Sequence, residues 1–243
     1  MKAMILAAGL GKRMRPLTNQ HPKPLLKAGG KQLIDYHLDK LAQAKIETVI
    51  INTHWLADQI SQALGNGNER GLKLRYSYEP QLLETAGGIK NILADLSSDD
   101  EPFLVINGDV YTELDLPLWL KTHLPLMQAA KAYLAFVPNP SHNPQGDFSL
   151  NLAEGSVSLK GQQTDTSIPT APTPTRTLTY SGIALFRPSF FDEVPPGPQA
   201  LGPALKTAIL KHQVRGGMLD SYWLDIGTPE RLAHLERRLE PSS

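Results

Sequence analysis

Ala3-Met-Ile-Leu-Ala-Ala8, running straight into Gly9-Leu-Gly-Lys-Arg-Met-Arg-Pro-Leu-Thr18, decides how this chain is read. The six apolar residues have the length and composition of a strand buried on both faces. The loop after them carries two glycines and the cations Lys12, Arg13 and Arg15, with Lys23 following in His21-Pro-Lys-Pro24. Glycine lets backbone N–H groups approach an anion closely, and the cations neutralise its charge. A strand ending in such a loop predicts a polyphosphate site at one end of a sheet.

The pattern that starts there continues. Gln32 to Ala44 places Leu33, Ile34, Leu38 and Leu41 at helical spacing, and Thr48-Val-Ile-Ile-Asn52 is a β-branched strand. Leu56 to Leu64 predicts a helix stopped by Gly65-Asn-Gly67, and Lys73 to Tyr78 alternates as a strand. Thr85 to Leu96 predicts a helix, and Pro102 to Asn107 is apolar throughout and is expected to be central. Strands alternating with helices predict βαβ units and a mostly parallel sheet flanked by helices, an α/β fold.

After residue 115 the character changes. Leu116 to Met127 is expected to be helical and Ala132 to Val137 a strand. Phe148–Leu152, Val157–Leu159 and Leu178–Phe186 are expected as antiparallel additions that build a second subsite. Between them, Thr164 to Thr177 holds six Thr and three Pro in fourteen residues, and residues 161–177 are expected to be a flexible loop. Pro203 to His212 predicts a helix. Gly216-Gly217 is expected to break the chain before a strand from Met218 to Leu224. Thr228 is a good N-cap with Pro229 at the first position of a closing helix that runs to about Leu239. No repeat appears. One domain, 1–243, is expected, its nucleotide half 1–115 and its second half 116–243.

Composition narrows the function. Twenty-four Lys+Arg balance 24 Asp+Glu, which argues against nucleic acid as a partner. Yet Lys12 to Lys31 contains six Lys/Arg and no acid, a window suited to a bound anion. The absence of cysteine excludes disulfides, thiolate nucleophiles and Cys-based zinc sites. No apolar run reaches the length of a membrane span. The cations directly after Ala3–Leu10 sit where a signal-peptide cleavage region would lie, so the expectation is a soluble cytoplasmic protein with small-molecule substrates, monomeric or a small homo-oligomer.

Two glycines after a strand are weak evidence by themselves. The loop is not a Walker A sequence, because no Gly-Lys-Ser/Thr follows at its spacing. It is not a dinucleotide fingerprint, because the third glycine is missing and Arg15-Pro16 interrupts the helix. That counts against an oxidoreductase. Asp109 follows an apolar strand and a glycine, the place where ligands gather in open α/β sheets. Asp225 precedes a helix N-terminus. Two carboxylates with phosphate oxygens and water suit Mg²⁺. The seven histidines are scattered and do not suggest zinc.

Gly9-x-Gly11-x-Arg13-Met-Arg-Pro-Leu-Thr18 with Pro22-Lys-Pro-Leu25 resembles the signature of the sugar-1-phosphate nucleotidylyltransferases. Glu84-Thr-Ala-Gly-Gly88, Asn107-Gly-Asp109 and Trp223-x-Asp-Ile-Gly-Thr-Pro-Glu230 are similar to that family's later motifs in order and spacing, so the resemblance spans almost the whole chain. It implies a Rossmann-like, GT-A-like nucleotidyltransferase fold and Mg²⁺-dependent transfer of a nucleotidyl group to a sugar 1-phosphate, with pyrophosphate leaving. It implies that Arg13 and Lys23 are catalytic, Arg13 with Lys12 on the β- and γ-phosphates and Lys23 on the α-phosphate. Ala8, Gly9, Gly11, Glu79, Thr85 and Gly88 are implied on the nucleotide side, although Gly87-Gly88 suits close helix–strand packing equally well. Asn107, Gly146 and Gly182 are implied on the sugar side, and Asp109 and Asp225 at the metal.

One segment departs from the family. A Glu-Glu-Lys-Pro stretch whose lysine meets the sugar phosphate is replaced by Ser158-Leu-Lys-Gly161, leaving Lys160 or Lys206 for that contact. No hexapeptide array follows Asp225, so a single-function transferase is expected. Within the family, Glu84–Gly88, Gly146-Asp-Phe148 and Tyr180-Ser-Gly-Ile-Ala184 most resemble the branch that joins UTP to N-acetylmuramic acid 1-phosphate in peptidoglycan recycling. The alternatives are glucose-1-phosphate thymidylyl- or uridylyltransferase, mannose-1-phosphate guanylyltransferase, and a non-catalytic nucleotide-sugar sensor, against which the intact Arg13, Lys23, Asp109 and Asp225 speak.

Overall fold

A computed structural model describes residues 1–161 and 175–240. In chain order the strands are β1 Lys2–Leu6, β2 Lys27–Ala28, β3 Lys31–Gln32, β4 Thr48–Thr53, β5 Lys73–Tyr78, β6 Phe103–Asn107, β7 Val110–Thr112, β8 Ala132–Val137, β9 Phe148–Asn151, β10 Val157–Ser158, β11 Thr175–Phe186, β12 Val214–Met218 and β13 Trp223–Asp225. The helices are α1 Leu33–Gln43, α2 Ala57–Leu64, α3 Glu84–Asn91, α4 Leu93–Leu96, α5 Leu116–His123, α6 Leu201–Leu210 and α7 Pro229–Leu239.

The main sheet runs β10-β9-β11-β6-β1-β4-β5, with β8 on β11 and β12 on β8. β1 lies parallel between β4 and β6, and β5 extends that side in parallel. β11 then pairs antiparallel with β6, β8 and β9. The expected parallel half with its antiparallel addition is what forms, and the apolar β6 is central. Successive residues of β1, β4 and β6 point to opposite faces. Ile5, Ile51, Leu104 and Ile106 meet α1, α2 and α5 on one face. Met4, Ile50, Phe103 and Val105 meet α3 and α6 on the other. A sheet covered on both faces requires the uninterrupted apolar strands that the sequence has.

Three expectations are corrected. The predicted 218–224 strand is two separate strands, β12 and β13, and Gly216-Gly217 lies inside β12 rather than breaking the chain. A Cβ at Gly216 would sit 2.6 Å from the Phe136 ring and one at Gly217 2.3 Å from the Tyr133 hydroxyl, so these glycines let β12 close on β8. The predicted 116–127 helix is α-helical only to His123 and continues as a 3₁₀ helix over Leu124–Ala129, because Pro125 has no N–H to carry the α-helical hydrogen-bond ladder onward. The 85–96 helix is interrupted at Ile92. Residues 162–174, most of the expected flexible loop, lie outside the described residues, while Thr175–Thr177 belong to β11 and pair with β9.

A smaller apolar cluster sets the site. Met14, Leu26, Ala28, Leu33, Tyr111, Ile226 and Leu235 pack together beneath the cationic loop. Three of these anchors are sequence neighbours of candidate site residues: Met14 beside Arg13, Tyr111 two after Asp109, Ile226 directly after Asp225. Burying these apolar side chains, at about 1.5–3 kcal/mol each, holds the polar neighbours at the end of the sheet.

α1 also buries His37, which is 1% exposed, with Nε2 unpartnered among the described residues and its ring bonded to the Val110 carbonyl. Burial pushes its pKa down to about 4, so it is neutral in the folded protein. The unfolded chain binds the proton more readily, so stability is complete above the ordinary histidine pKa and falls as pH drops towards about 4. The total is roughly 3 kcal/mol. Denaturant melts at neutral and acid pH should show this loss, and His37→Leu should flatten it; an equally steep pH dependence in the variant would contradict the assignment.

Candidate active site

Gly11 has φ 60°, and a Cβ there would lie 2.8 Å from Thr18 Cγ2, so the turn requires glycine. Thr18 Oγ1 donates to the Gly11 carbonyl at 2.8 Å and closes the loop. Lys12–Met14 then form a single 3₁₀ turn, Met14 pointing into the core and Arg13 outward. The loop borders a cavity of about 450 Å³. Ala8, Gly9, Gly11, Lys12, Arg13, Lys23, Thr85, Asn107 and Asp109 all line it. Residues up to 101 positions apart in sequence are thereby brought to the same end of the sheet, as expected.

Glu79 and Gly88 stand behind that wall. Glu79 is 1% exposed; it accepts from Asn52 Nδ2 at 2.8 Å and from the Leu83 N–H at 3.0 Å. A Cβ at Gly88 would fall 2.7 Å from Glu79 Oε1, so Gly88 serves close packing on this buried pair. Asn52, which sequence reading left out, ties the two sides together: its Oδ1 accepts the Ala7 N–H at 2.8 Å. The available signal was a polar residue closing the apolar β4, the same signal that picked out Asp109. Glu84 also lines the cavity and takes φ 58° at the start of α3, a costly backbone for a residue with a side chain.

The first turn of α3 is pinned by Gln199, whose carbonyl accepts from Ala86 N and Gly87 N at 2.8 and 3.0 Å. A Cβ at Gly87 would stand 2.2 Å from the Gly197 carbonyl oxygen. Gly87→Ala must therefore move backbone, and we expect a loss of about 1–3 kcal/mol in stability. A thermal melt unchanged from wild type would contradict this packing.

A second cavity, about 740 Å³, adjoins the first, and Thr85 and Asn107 line both. Its other walls include Asp147, Phe148, Tyr180, Leu201 and Leu205, with Lys160 and Lys206 both on its border. Gly146 and Gly182 shape it without lining it. Gly182, φ 81°, sits where the β11–β8 register shifts, and its missing Cβ admits the Asn107 side chain. Gly146, φ 60°, turns the chain into Asp147, whose Oδ2 accepts from the Tyr180 N–H at 2.9 Å. The Tyr180 hydroxyl is buried without a partner in the described structure, and burial raises its pKa.

Strand pairing brings the backbones of the two acids together although 116 residues separate them. Asp225 pairs with Val110 across β13 and β7, and Ile226 N donates to the Asp109 carbonyl at 2.8 Å. Lys23 Nζ donates to Asp109 Oδ2 at 2.7 Å. Asp225 Oδ2 accepts from Arg231 Nη1 at 3.0 Å and lies 3.2 Å from His142 Nε2. Burial, then the neighbouring Arg231, hold the His142 imidazole below its ordinary pKa against the pull of Asp225. Asp225 Oδ1 is buried and has no hydrogen-bond partner among the described residues. Arg231 and His142 were not foreseen. Arg231 reads as an ordinary surface cation of an amphipathic helix, and His142 lies 83 residues before the acid it meets.

A family model described as nucleotidyl transferase matches residues 2–241. The chain belongs to this nucleotidyltransferase family. Its relatives include the N-acetylmuramate alpha-1-phosphate uridylyltransferase of Neisseria meningitidis, 44% identical over 96% of this chain and 95% of that one. The protein of the same name from Caulobacter vibrioides is 34% identical over 98% of this chain and 96% of that one. Among solved structures, a Bacillus anthracis protein described as a glucose-1-phosphate thymidylyltransferase, in complex with sucrose, superposes with a TM-score of 0.80 over 100% of this chain and 96% of that one. At 20% identity that likeness speaks for the nucleotidyltransferase fold alone.

Proposed function

We propose that this nucleotidyltransferase transfers uridylyl from UTP to N-acetylmuramic acid 1-phosphate, giving the UDP-sugar and pyrophosphate, as a cytoplasmic step of peptidoglycan recycling. The observation that carries it is the shared wall: a cationic nucleotide cavity and a roomier second cavity meet at Thr85 and Asn107. The choice of nucleotide and sugar rests on likeness to the relatives of that activity. A monomer or small homo-oligomer suffices, since every group used here comes from one chain. Among the described residues no helix is long and apolar enough to cross a membrane.

In this reading the triphosphate lies along the loop, where Lys12 and Arg13 meet the β- and γ-phosphates and Lys23 the α-phosphate. The sugar phosphate enters from the second cavity, with Lys160 or Lys206 beside it, and its oxygen attacks the α-phosphorus in line. Arg13 then faces the charge that grows on the leaving pyrophosphate. The described site offers cations and amides at this position, and transfer is direct.

Asp109 and Asp225 would hold Mg²⁺. Their fit rests on the donor set: two hard carboxylates on adjoining backbones, one oxygen of which, Asp225 Oδ1, is buried with no partner among the described residues. Among the described residues no three His, Cys, Asp or Glu side chains gather as a metal site, so phosphate oxygens and water would have to supply the remaining ligands. Bound there, the ion offsets phosphate charge and orients the α-phosphate for attack.

The test is pyrophosphate release across four nucleoside triphosphates and a set of sugar 1-phosphates. The expected result is highest kcat/KM for UTP with N-acetylmuramic acid 1-phosphate. High activity with glucose or mannose 1-phosphate and none with N-acetylmuramic acid 1-phosphate would overturn the assignment.

A further inference from the structure

We propose that Arg231 is a second phosphate-binding guanidinium of the site, held on Asp225 until that acid takes up a divalent cation. The proposal rests on the reading of Asp109 and Asp225 as a metal pair. In the structure both acids are already neutralised internally, Asp109 by Lys23 and Asp225 by Arg231. The Arg231 side chain is 16% exposed and that of Asp225 20%, so the pair is shielded from solvent on both sides.

Arg231 does not stand alone. A Cβ at Gly227 would lie 2.2 Å from Arg231 Nη2 and 3.0 Å from Arg13 Nη2, so two guanidinium groups converge on the space that this glycine leaves. Gly227 and Arg13 both line the nucleotide cavity. Like charges so close need an anion between or beside them. Asp225 fills that need while Oδ2 is free to accept. When its oxygens turn to a cation, Arg231 loses its partner, and the nearest anion of matching shape is the triphosphate on which Arg13 already acts. A planar guanidinium suits phosphate oxygens in two-point contact. Lys23 makes the same exchange from Asp109 to the α-phosphate. The site therefore carries its own counter-ions when empty and turns them onto the substrate when loaded.

This predicts competition. Without nucleotide, a divalent cation must displace Arg231, and its apparent affinity is reduced by the fraction of molecules in which Asp225 is held. Mn²⁺ serves as a paramagnetic probe of an oxygen-donor Mg²⁺ site, read by EPR of the free ion. Arg231→Gln should bind Mn²⁺ roughly fivefold more tightly than wild type in the absence of nucleotide. The same variant should lose kcat by on the order of 10²-fold, with the sugar-phosphate KM little changed. Gly227→Ala keeps the charge but crowds the guanidinium off its position, and should likewise tighten Mn²⁺ binding. Mn²⁺ affinity equal to or weaker than wild type in either folded variant overturns the counter-ion role. An Arg231→Gln kcat within about twofold of wild type overturns the phosphate role. The Mn²⁺ arm uses neither nucleotide nor sugar, so its failure is separate from a failure of the assigned substrates.

Discussion

Asp109→Asn and Asp225→Asn are each expected to lower kcat by on the order of 10³-fold, the rate equivalent of the several kcal/mol a bound cation contributes to phosphoryl charge stabilisation. The reasoning is specific to what each side chain touches. Asparagine keeps an oxygen for Lys23 Nζ at position 109 and for Arg231 Nη1 at position 225, so the contacts that tie β7, β13 and α7 together survive. The negative charge does not survive, and with it goes the attraction for a hard cation. Fold should persist, because the anchors Tyr111 and Ile226 and the Ile226 N–H to Asp109 carbonyl bond are untouched. The check pairs steady-state turnover with far-UV circular dichroism and a thermal melt. A folded variant within about tenfold of wild type would show that the acids do not hold the ion.

Arg13→Ala carries the next largest expectation, a fall in kcat of roughly 10²–10³-fold with little change in the sugar-phosphate KM. Arg13 is fixed by its neighbours rather than by its own contacts: Gly11 sets the turn, and Met14, 1% exposed, locks the 3₁₀ turn into the cluster below. Removing the guanidinium therefore leaves the loop in place and removes the donor proposed to face the leaving group. Arg13→Lys should recover only part of the rate, since an ammonium lacks the planar two-point contact. Lys12→Ala, at an exposed position on the same turn, should cost less. Equal losses from Lys12→Ala and Arg13→Ala would mean the loop acts through net charge alone.

How far the chain could be read from its sequence depended on the range of the interaction. Local signals served well. The apolar runs of β1, β4 and β6 declared a sheet covered on both faces, and Thr228-Pro229 declared the start of α7, where Thr228 Oγ1 accepts from the Arg231 N–H. Motif residues of the loop, with Asn107, Asp109 and Thr85, came together as expected. What was hidden depended on partners far along the chain. Gly216 and Gly217 read as breakers because the aromatic rings that require them, Phe136 and Tyr133, lie some eighty residues earlier. Asn52 on β4 and Glu79 just after β5 form one buried hydrogen-bonded pair, a contact that no local signal carries. Lys160 and Lys206 both reach the second cavity from different elements, and proximity alone leaves the choice between them to mutagenesis. Arg231 sits among ordinary helix-surface charges and gains meaning only from the strand pairing that sets Asp225 beside Asp109.

The central claim is that two halves of one site carry out a single direct displacement, with cations and amides in place of a protein nucleophile. Stereochemistry at the α-phosphorus tests it most directly. With one diastereomer of UTP bearing sulfur on the α-phosphorus, ³¹P NMR of the UDP-sugar formed should show inversion of configuration. Retention would require two successive displacements through a uridylylated protein and would contradict the account.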